Sequence, residues 1–164
     1  MLYVDDLPGY IADHLSRAEW LAVDTETTGL NPRRDRLCVV QVYDQHDTYA
    51  AVQINRANPR QAENLAALLN HGRLILHNAL FDLPFLSRSL GVSPGRVYCT
   101  CVADRIIRTW APKHGLADVC WDLCHARLDK TPQTSDWGAD LQPEQLEYAR
   151  QDVLFLHEIR EKQK

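Results

Sequence analysis

The chain has 164 residues, of which 45% are hydrophobic, so it can bury one sizeable core within the usual size of a single domain. Its net charge of −4 argues against the broad basic surface that binds duplex DNA non-specifically. No apolar run approaches the length that crosses a bilayer, and the N-terminus MLYVDDLPGY lacks the basic and apolar regions of a secretory signal. We therefore expect a cytoplasmic protein with no membrane partner.

The five cysteines are odd in number, and we expect them to be reduced rather than paired in disulfides. Cys99-x-Cys101 and Cys120-x3-Cys124, the latter followed by His125, could form a zinc site. Neither pair has the two-residue gap of common structural zinc modules. Since free cysteine is usually a small buried hydrophobe, we predict core positions for these residues and no bound zinc.

The first third of the chain predicts one helix and three strands. Ile11 and Leu15 lie four residues apart, which favours a short amphipathic helix over residues 6–18. Three apolar or β-branched runs follow, and turn residues separate them. They predict strands at residues 20–24, 37–43 and 48–54, the last two within an antiparallel meander.

The rest of the chain alternates helical patterns with short apolar strands. In order, it predicts a helix at 60–70, a strand at 73–77, a helix at 81–90, a strand at 97–99, and helices at 101–109, 116–125 and 143–162, with loops at 31–36 and 129–140. This order predicts an α/β (α+β) domain of ribonuclease H-like type, a mixed five-stranded sheet flanked by helices. We expect residues 1–164 to form this single domain.

Asp24 and Glu26 stand two residues apart at the end of a predicted strand, so both side chains leave the same face. Two carboxylates held side by side repel each other, whereas a divalent cation between them keeps both ionised. Magnesium prefers oxygen ligands and is the natural partner. A solvated strand end is the alternative, and this pair alone does not decide between the two.

Three further residues give weaker signals when each is taken alone. Tyr148 and Asp152 lie four residues apart on one face of the last predicted helix, whose wide apolar surface makes an unpartnered acid costly. A boundary aspartate bonded to the tyrosine is the structural alternative. Asp82 stands at the start of a predicted helix, where capping or a dipole interaction is the alternative.

Taken in chain order, these residues lie in three motifs that resemble a known family. D-T-E-T-T-G-L, H-N-A-L-F-D and Y-A-R-Q-D-V match the exonuclease motifs of the DEDD superfamily, in the subgroup with a tyrosine four residues before the final aspartate. S-D-W followed by P-E-Q-L-E-Y-A-R-Q-D-V-L-F-L resembles the end of ribonuclease D catalytic domains. L-N-P-R-R-D-R-L-C-V-V-Q and H-G-L-A-D-V-C resemble the short bacterial exoribonucleases called nanoRNase C.

The resemblance implies a 3′→5′ exonuclease that hydrolyses short single-stranded RNA to nucleoside 5′-monophosphates. It leaves DNA open as a further substrate. It implies two divalent cations, Mg²⁺ or Mn²⁺. Asp24, Glu26 and Asp152 would bind the first cation. Asp24 and, through water, Asp82 would support the second. Tyr148 would orient the attacking water.

The resemblance also implies a set of substrate contacts around these acids. Thr27, Thr28 and Gly29 would offer backbone donors to the terminal nucleotide, and Leu30 would wedge between the last two bases. His77, Asn78 and Phe81 would line the approach to Asp82 and hold a sugar or stack on a base. The structural alternatives are an ordinary glycine turn with Leu30 in the core, and core packing of Phe81. Arg33, Arg34 and Arg36, and Lys113 with His114, are basic clusters that either contact phosphates or are simply solvated.

Two other functions remain open from the sequence. A DNA-directed or proofreading-type exonuclease shares the same motifs, and RNA is favoured only because the nearest resemblance is to ribonucleases. A nuclease fold that only binds nucleic acid is disfavoured, because all four acids and Tyr148 are present. We further expect no accessory RNA-binding domain, a preference for short strands, and a homo-oligomer whose neighbouring subunit supplies basic side chains.

Overall fold

The computed structural model describes residues 1–128, 136–139 and 141–164. Its strands are β1 Leu2–Val4, β2 Leu21–Thr27, β3 Leu37–Tyr43, β4 Tyr49–Gln53, β5 Arg73–Leu76 and β6 Arg96–Cys99. Its helices are α1 Gly9–Leu15, α2 Glu63–His71, α3 Ala79–Leu90, α4 Thr100–Ile107, α5 Leu116–Val119, α6 Pro143–Leu154 and α7 Leu156–Lys162. A 3₁₀ turn at Pro59–Gln61 precedes α2, and a π-helical turn at Cys120–Cys124 continues α5.

The described strands form one mixed sheet in the order β1-β4-β3-β2-β5-β6. The pairs β4/β3 and β3/β2 are antiparallel, whereas β1/β4, β2/β5 and β5/β6 are parallel. The mixed sheet flanked by helices confirms the predicted fold class, but the prediction of five strands was wrong. The sixth strand is β1, which has three residues and is held by pairing with the distant β4, so no local periodicity marks it.

Several predicted bounds shift for identifiable reasons. Strand β2 continues to Thr27, since its pairing with β3 extends to Leu37, so Asp24 and Glu26 lie inside the strand rather than at its end. The last predicted helix divides at Phe155, which ends α6 and precedes α7. The predicted loop at 129–140 lies largely outside the described residues.

Helix α3 begins two residues earlier than predicted and carries Pro84 inside it. Asn78 precedes the helix with φ 62° and ψ 50°, a left-handed conformation that asparagine tolerates better than most residues. The backbone amide of Phe81 donates to the carbonyl of Asn78 over 2.8 Å and closes the first turn. This early start places Asp82 in the first turn of α3, directed towards the sheet.

The sheet is covered on both faces, and alternate residues of β2 belong to different cores. Val23 packs in the larger core with buried side chains of α2 and α3, whereas Ala22 packs with Val153 and Leu156 of the C-terminal helices. Asp24 and Glu26 share the face of Ala22, which α6 covers, and Thr25 shares the face of Val23. In the described ranges, no helix is long and apolar enough to cross a membrane.

Candidate active site

Three acidic side chains meet between β2 and α6. Asp24, Glu26 and Asp152 each present a carboxylate oxygen, and these oxygens all lie within 4.8 Å of one another. The first two come from one face of β2, and the third comes from the last full turn of α6, which crosses that face. Oxygens at this spacing can coordinate one divalent cation together.

Asp82 lies beside this trio and belongs to a different helix. Its side chain is 2% exposed, and its Oδ1 atom accepts a hydrogen bond of 2.6 Å from the hydroxyl of Thr25. Thr25 lies between Asp24 and Glu26 in sequence but projects from the opposite face of β2. The bond therefore holds Asp82 against the strand that carries the other two acids.

Burial and mutual repulsion raise the pKa values of these acids. Burial raises the pKa of Glu26 to about 9, and the charges of Asp152 and Asp82 contribute. The pKa of Asp24 is raised well above its usual value by burial and then by Asp82, Asp152 and Glu26. Burial raises the pKa of Asp82 to about 7 against the opposing effect of the Thr25 hydroxyl. The site can accommodate full negative charge once cations compensate it.

Tyr148 lies one helical turn before Asp152 and is only 8% exposed. Its ring packs against Trp137 at a centroid distance of 6.2 Å, and its phenol interacts electrostatically with the Asp152 carboxylate. Burial raises the pKa of this phenol, and the neighbouring carboxylates raise it further. Tyr148 is therefore neutral at physiological pH and keeps a proton that it can donate in a hydrogen bond.

A cleft of about 660 Å³ opens over the acids. All the predicted catalytic and substrate-binding residues line it: Asp24, Glu26, Thr27, Thr28, Gly29, Leu30, His77, Asn78, Phe81, Asp82, Tyr148 and Asp152. The sequence analysis missed further lining residues, among them Thr25, Cys101, Arg105, Gly115, Leu116, Ala117, Leu128 and Trp137. Most of these come from segments that are distant in sequence and have no catalytic motif of their own.

The loop that follows β2 has an internal hydrogen bond and exposes the apolar side chain of Leu30. The Thr27 hydroxyl donates to the carbonyl of Gly29 over 2.6 Å, and a Cβ atom on Gly29 would lie 2.4 Å from a carboxylate oxygen of Asp35. A side chain at this position would displace the Asp35 carboxylate, which accepts a hydrogen bond of 2.8 Å from the backbone amide of Asn31. Leu30 is 82% exposed at the cleft, which rules out its alternative role as a core residue.

The side chains predicted to contact substrate beside Asp82 differ in whether they are bonded within the protein or exposed. His77 Nε2 donates to the carbonyl of His114 over 3.0 Å, and its Nδ1 lies 2.9 Å from the Thr100 hydroxyl. Burial lowers the pKa of His77 to about 4, so the ring is neutral and both nitrogens are engaged within the protein. Asn78 is exposed, and Phe81 is partly buried against Phe85 at a centroid distance of 5.2 Å.

A buried ion pair supports the opposite wall of the cleft. Asp104 is fully buried on α4 and accepts 2.7 and 3.1 Å bonds from the guanidinium of Arg108. It also contacts His114 Nδ1 over 2.6 Å. Through His114 this network holds the start of the segment that leads to Gly115 and Leu116. The spacing of Asp104 and Arg108, four residues apart on one helix, was the signal that could have indicated an ion pair.

The basic residues divide between the cleft and the outer surface. Arg105 and His114 line the cleft, and Arg105 is exposed on α4. Arg33 and Arg34 are exposed on the loop between β2 and β3, whereas Arg36 donates to the carbonyl of Gly138 over 3.1 Å. Arg105 thus brings positive charge to the cleft. The sequence analysis had considered other basic residues for this role.

The cysteines are unpaired; Cys38, Cys101 and Cys120 are buried as predicted, whereas Cys99 and Cys124 are partly exposed. Burial raises the pKa of Cys120 to about 12 and that of Cys124 to about 11, which disfavours the thiolate that a metal needs. Within residues 1–128, 136–139 and 141–164, the side chains grouped closely enough for a metal are the three acids.

The chain is similar in sequence to parts of longer proteins. DNA polymerase I of Aquifex aeolicus (strain VF5) is 36% identical over 146 residues, which cover 88% of this chain and 24% of the relative. Ribonuclease D of Gluconacetobacter diazotrophicus is 27% identical over 159 residues, which cover 94% of this chain and 39% of the relative. The chain thus spans well under half the length of these curated relatives.

Solved structures of Brucella melitensis NrnC share the fold closely. The structure bound to pGG and the one with bound Mg²⁺ both have a TM-score of 0.90 and 38% identity, and they cover 99% of this chain and 78% of NrnC. A family model described as 3′-5′ exonuclease matches residues 3–163 of the chain. Because that match runs over nearly the whole sequence, the chain belongs to the 3′-5′ exonuclease family.

Proposed function

We propose that this protein is a metal-dependent 3′→5′ exonuclease that removes nucleoside 5′-monophosphates from short single-stranded RNA. The observation that carries the proposal is the convergence of Asp24, Glu26 and Asp152 within 4.8 Å, with Asp82 bonded to the same strand, at one cleft. Four carboxylates without a cation would be costly to bury together. Their hard oxygen atoms suit Mg²⁺ or Mn²⁺.

In the proposed site, Asp24, Glu26 and Asp152 hold one cation, and Asp24 and Asp82 support a second. Two such cations stabilise the attacking and the leaving oxygen of an in-line displacement at phosphorus. The division is consistent with the geometry, because Asp82 lies outside the close trio but lines the same cleft. The hydrogen bond from Thr25 fixes the carboxylate of Asp82 in place for that role.

Tyr148 has the role of orienting the water that attacks the scissile phosphate. Its phenol is neutral and lies beside Asp152, so its hydroxyl can donate a hydrogen bond to a water held beside the acids. The packing against Trp137 restricts the ring to one position. Attack by water at the terminal linkage leaves the phosphate on the released nucleotide as a 5′-monophosphate.

The cleft fits a single-stranded end better than a duplex. Leu30 offers an exposed apolar edge for insertion between two bases, and Phe81 offers a ring face at the other side of the acids. Arg105 brings positive charge to the same cleft, where a phosphate of the penultimate nucleotide can lie. RNA is favoured because NrnC, which is 38% identical, was solved with pGG.

The test uses matched RNA and DNA oligonucleotides that carry a label at the 5′ end. With Mg²⁺ or Mn²⁺, we expect RNA to shorten one nucleotide at a time and EDTA to stop the reaction. A matched RNA with a blocked 3′ end should resist. Rapid loss of the 5′ label from the blocked substrate would contradict the polarity, and binding without any cleavage would support the inactive binding module instead.

A DNA-directed or proofreading-type exonuclease is the second candidate. The observation in its favour is the 36% identity to DNA polymerase I of Aquifex aeolicus, which exceeds the identity to the ribonuclease D relatives. The same pair of substrates separates the two functions. A kcat/KM on DNA that exceeds the value on RNA, at equal salt and metal, would move the assignment to DNA.

The proposal includes a homo-oligomer. Helix α4 exposes a row of apolar side chains at helical spacing, with Val102 at 46%, Ile106 at 71% and Trp110 just beyond the helix at 77% exposure. A second copy would cover this row and remove it from water. Sedimentation velocity of the wild type and of Ile106→Glu tests this, since the variant should shift the distribution towards the monomer.

A further inference from the structure

Gln41 lies at the centre of the sheet with no access to solvent. It belongs to β3, and its relative exposure is 0%. Both polar atoms of its amide are buried, and neither has a hydrogen-bond partner in the part of the chain that the structure describes. An amide in this state costs free energy, and native proteins retain few such groups without a functional reason.

The position of Gln41 relates it directly to the acidic site. In the β2/β3 pairing, Gln41 lies opposite Asp24, so both side chains leave the same face of the sheet. Directly opposite Cβ atoms lie about 4.5–5.5 Å apart. A glutamine side chain can span that distance by rotating about its last torsion, which has a broad energy minimum.

Tyr49 supplies a second unpartnered polar atom on the same face. It lies on β4 diagonally across from Gln41, whose direct partner on that strand is Ala51. Its hydroxyl is buried and has no hydrogen-bond partner among the described residues. Burial raises the pKa of this phenol, and the charges of Asp24 and Glu26 raise it further, which places Tyr49 within electrostatic range of the acids.

We propose that Gln41 is a positioning residue for Asp24, and that Tyr49 in turn orients Gln41. In the metal-loaded protein, the Gln41 Nε2–H group donates to a carboxylate oxygen of Asp24, and the Tyr49 hydroxyl donates to Gln41 Oε1. An ionised carboxylate only accepts hydrogen bonds, so the amide nitrogen is the atom that faces it. The inference rests on the proposed function, because it concerns the acid that both cations would share.

If Gln41 positions Asp24, replacing it with an apolar residue should raise thermal stability without metal and weaken metal binding. Without metal, the amide is a buried group with unmet hydrogen bonds, so an apolar residue of similar size should raise the thermal stability. With metal, the same change removes a hydrogen bond to a charged group and should weaken binding about tenfold. A residue that served only to fill the core would change both quantities in one direction or neither.

The experiment compares the wild type, Gln41→Met and Tyr49→Phe, with Tyr43→Phe as the matched control. Tyr43 lies opposite Tyr49 on the same face, and its ring contacts His157 at 5.9 Å rather than the acids. The readouts are Mn²⁺ binding by calorimetry and Tm in EDTA. We expect Gln41→Met to raise Tm and weaken Mn²⁺ binding about tenfold, Tyr49→Phe to weaken binding by a smaller factor, and Tyr43→Phe to bind like the wild type.

The outcomes separate this inference from the proposed function. If the wild type binds Mn²⁺ and Gln41→Met binds it equally well, the inference is wrong and the metal site stands. A lower Tm for Gln41→Met in EDTA also overturns it, because the amide would then stabilise the metal-free fold. If the wild type binds no Mn²⁺, both fail. Tyr49→Phe keeps the test valid should Gln41→Met not fold, since equal binding by Tyr49→Phe and the wild type contradicts the relay.

Discussion

Thr25 donates its hydroxyl proton to the Oδ1 atom of Asp82 over 2.6 Å, although the two residues are 57 positions apart. The bond joins the central strand to the first turn of α3 inside the buried interior. It is also the contact that opposes the effect of burial on Asp82, since burial raises the pKa of that acid and the hydroxyl lowers it. The orientation of the fourth acid therefore depends on a residue with no charge of its own.

We predict that Thr25→Val lowers kcat about tenfold or more, because the isosteric side chain fills the same space but leaves Asp82 without its donor. Single-turnover hydrolysis of a short RNA measures the effect. Thr25→Ser is the matched control, since it keeps the hydroxyl and should retain most of the activity. Equal rates for Thr25→Val and the wild type would show that Asp82 needs no orientation by this bond.

Asp24→Asn and Asp152→Asn should each abolish hydrolysis and leave the fold intact. Each change removes a ligand, but it also removes repulsion within the buried acidic group, so the metal-free protein should be no less stable than the wild type. Activity assays and Tm in EDTA check both expectations. Glu144→Gln, an exposed change on the same helix as Asp152, is the control and should behave as the wild type. More than trace activity in either asparagine variant would contradict the metal assignment.

Tyr148→Phe should slow hydrolysis about a hundredfold, within the range typical of one positioned proton donor or acceptor. Metal binding should stay nearly unchanged, because the grouped ligand atoms come from Asp24, Glu26 and Asp152 and the phenol supplies none. The phenylalanine ring keeps the packing against Trp137. Rates that match the wild type, at saturating Mn²⁺ and RNA, would make Tyr148 a structural residue.

The metal-free protein should lose stability as pH rises from 7 to 9. Glu26 has a pKa of about 9 in the fold against an ordinary value of 4.5, so in this window the native state holds a proton that the unfolded chain has released. Stability from such a group is full below pH 4.5 and is lost as pH rises towards 9. Buried histidines do not interfere, because the pKa values of His77 and His157 are lowered.

The measurement is Tm against pH in EDTA and again in Mg²⁺. The loss in EDTA should amount to several degrees, and Mg²⁺ should offset it, because the cation binds the ionised acids. Glu26→Gln is the control and should flatten the curve in EDTA. A Tm in EDTA that stays constant or increases between pH 7 and 9 would count against the buried proton.

Short strands should be degraded at least as well as long ones. In the proposed function the cleft would hold the terminal nucleotides, and the net charge of −4 leaves little electrostatic attraction for phosphates farther along a strand. A series of 5′-labelled RNAs, from dinucleotides to chains of about twenty nucleotides, is compared by kcat/KM at fixed salt. A steady rise with length would reveal an extended binding track.

Sequence patterns predicted the parts of the site that are local. Asp24 and Glu26 share a face because strands alternate, and Tyr148 and Asp152 share a face because helices repeat every turn. The patterns could not predict how α6 crosses β2, which depends on the packing of Ala22 against Val153. That crossing is what brings Asp152 within 4.8 Å of the other two acids.

Residues that act through distant partners escaped the sequence analysis for the same reason. Arg105 lies in no motif, and it reaches the cleft from α4, where its neighbour Asp104 is bonded to Arg108 and His114. The strand β1 depends wholly on β4. Residues 129–135 and 140, which include the serine of the S-D-W motif, lie outside the described ranges, so the prediction of a loop there stays a prediction.

The described sheet has short strands at its two margins. β1 has three residues and β6 has four, whereas β2 and β3, at the centre, have seven each. A margin this short offers few unpaired amide and carbonyl groups to a strand from another molecule. The same arrangement that keeps Asp24 and Glu26 in one of the two long central strands therefore leaves few backbone groups at the margins for strand addition by another molecule.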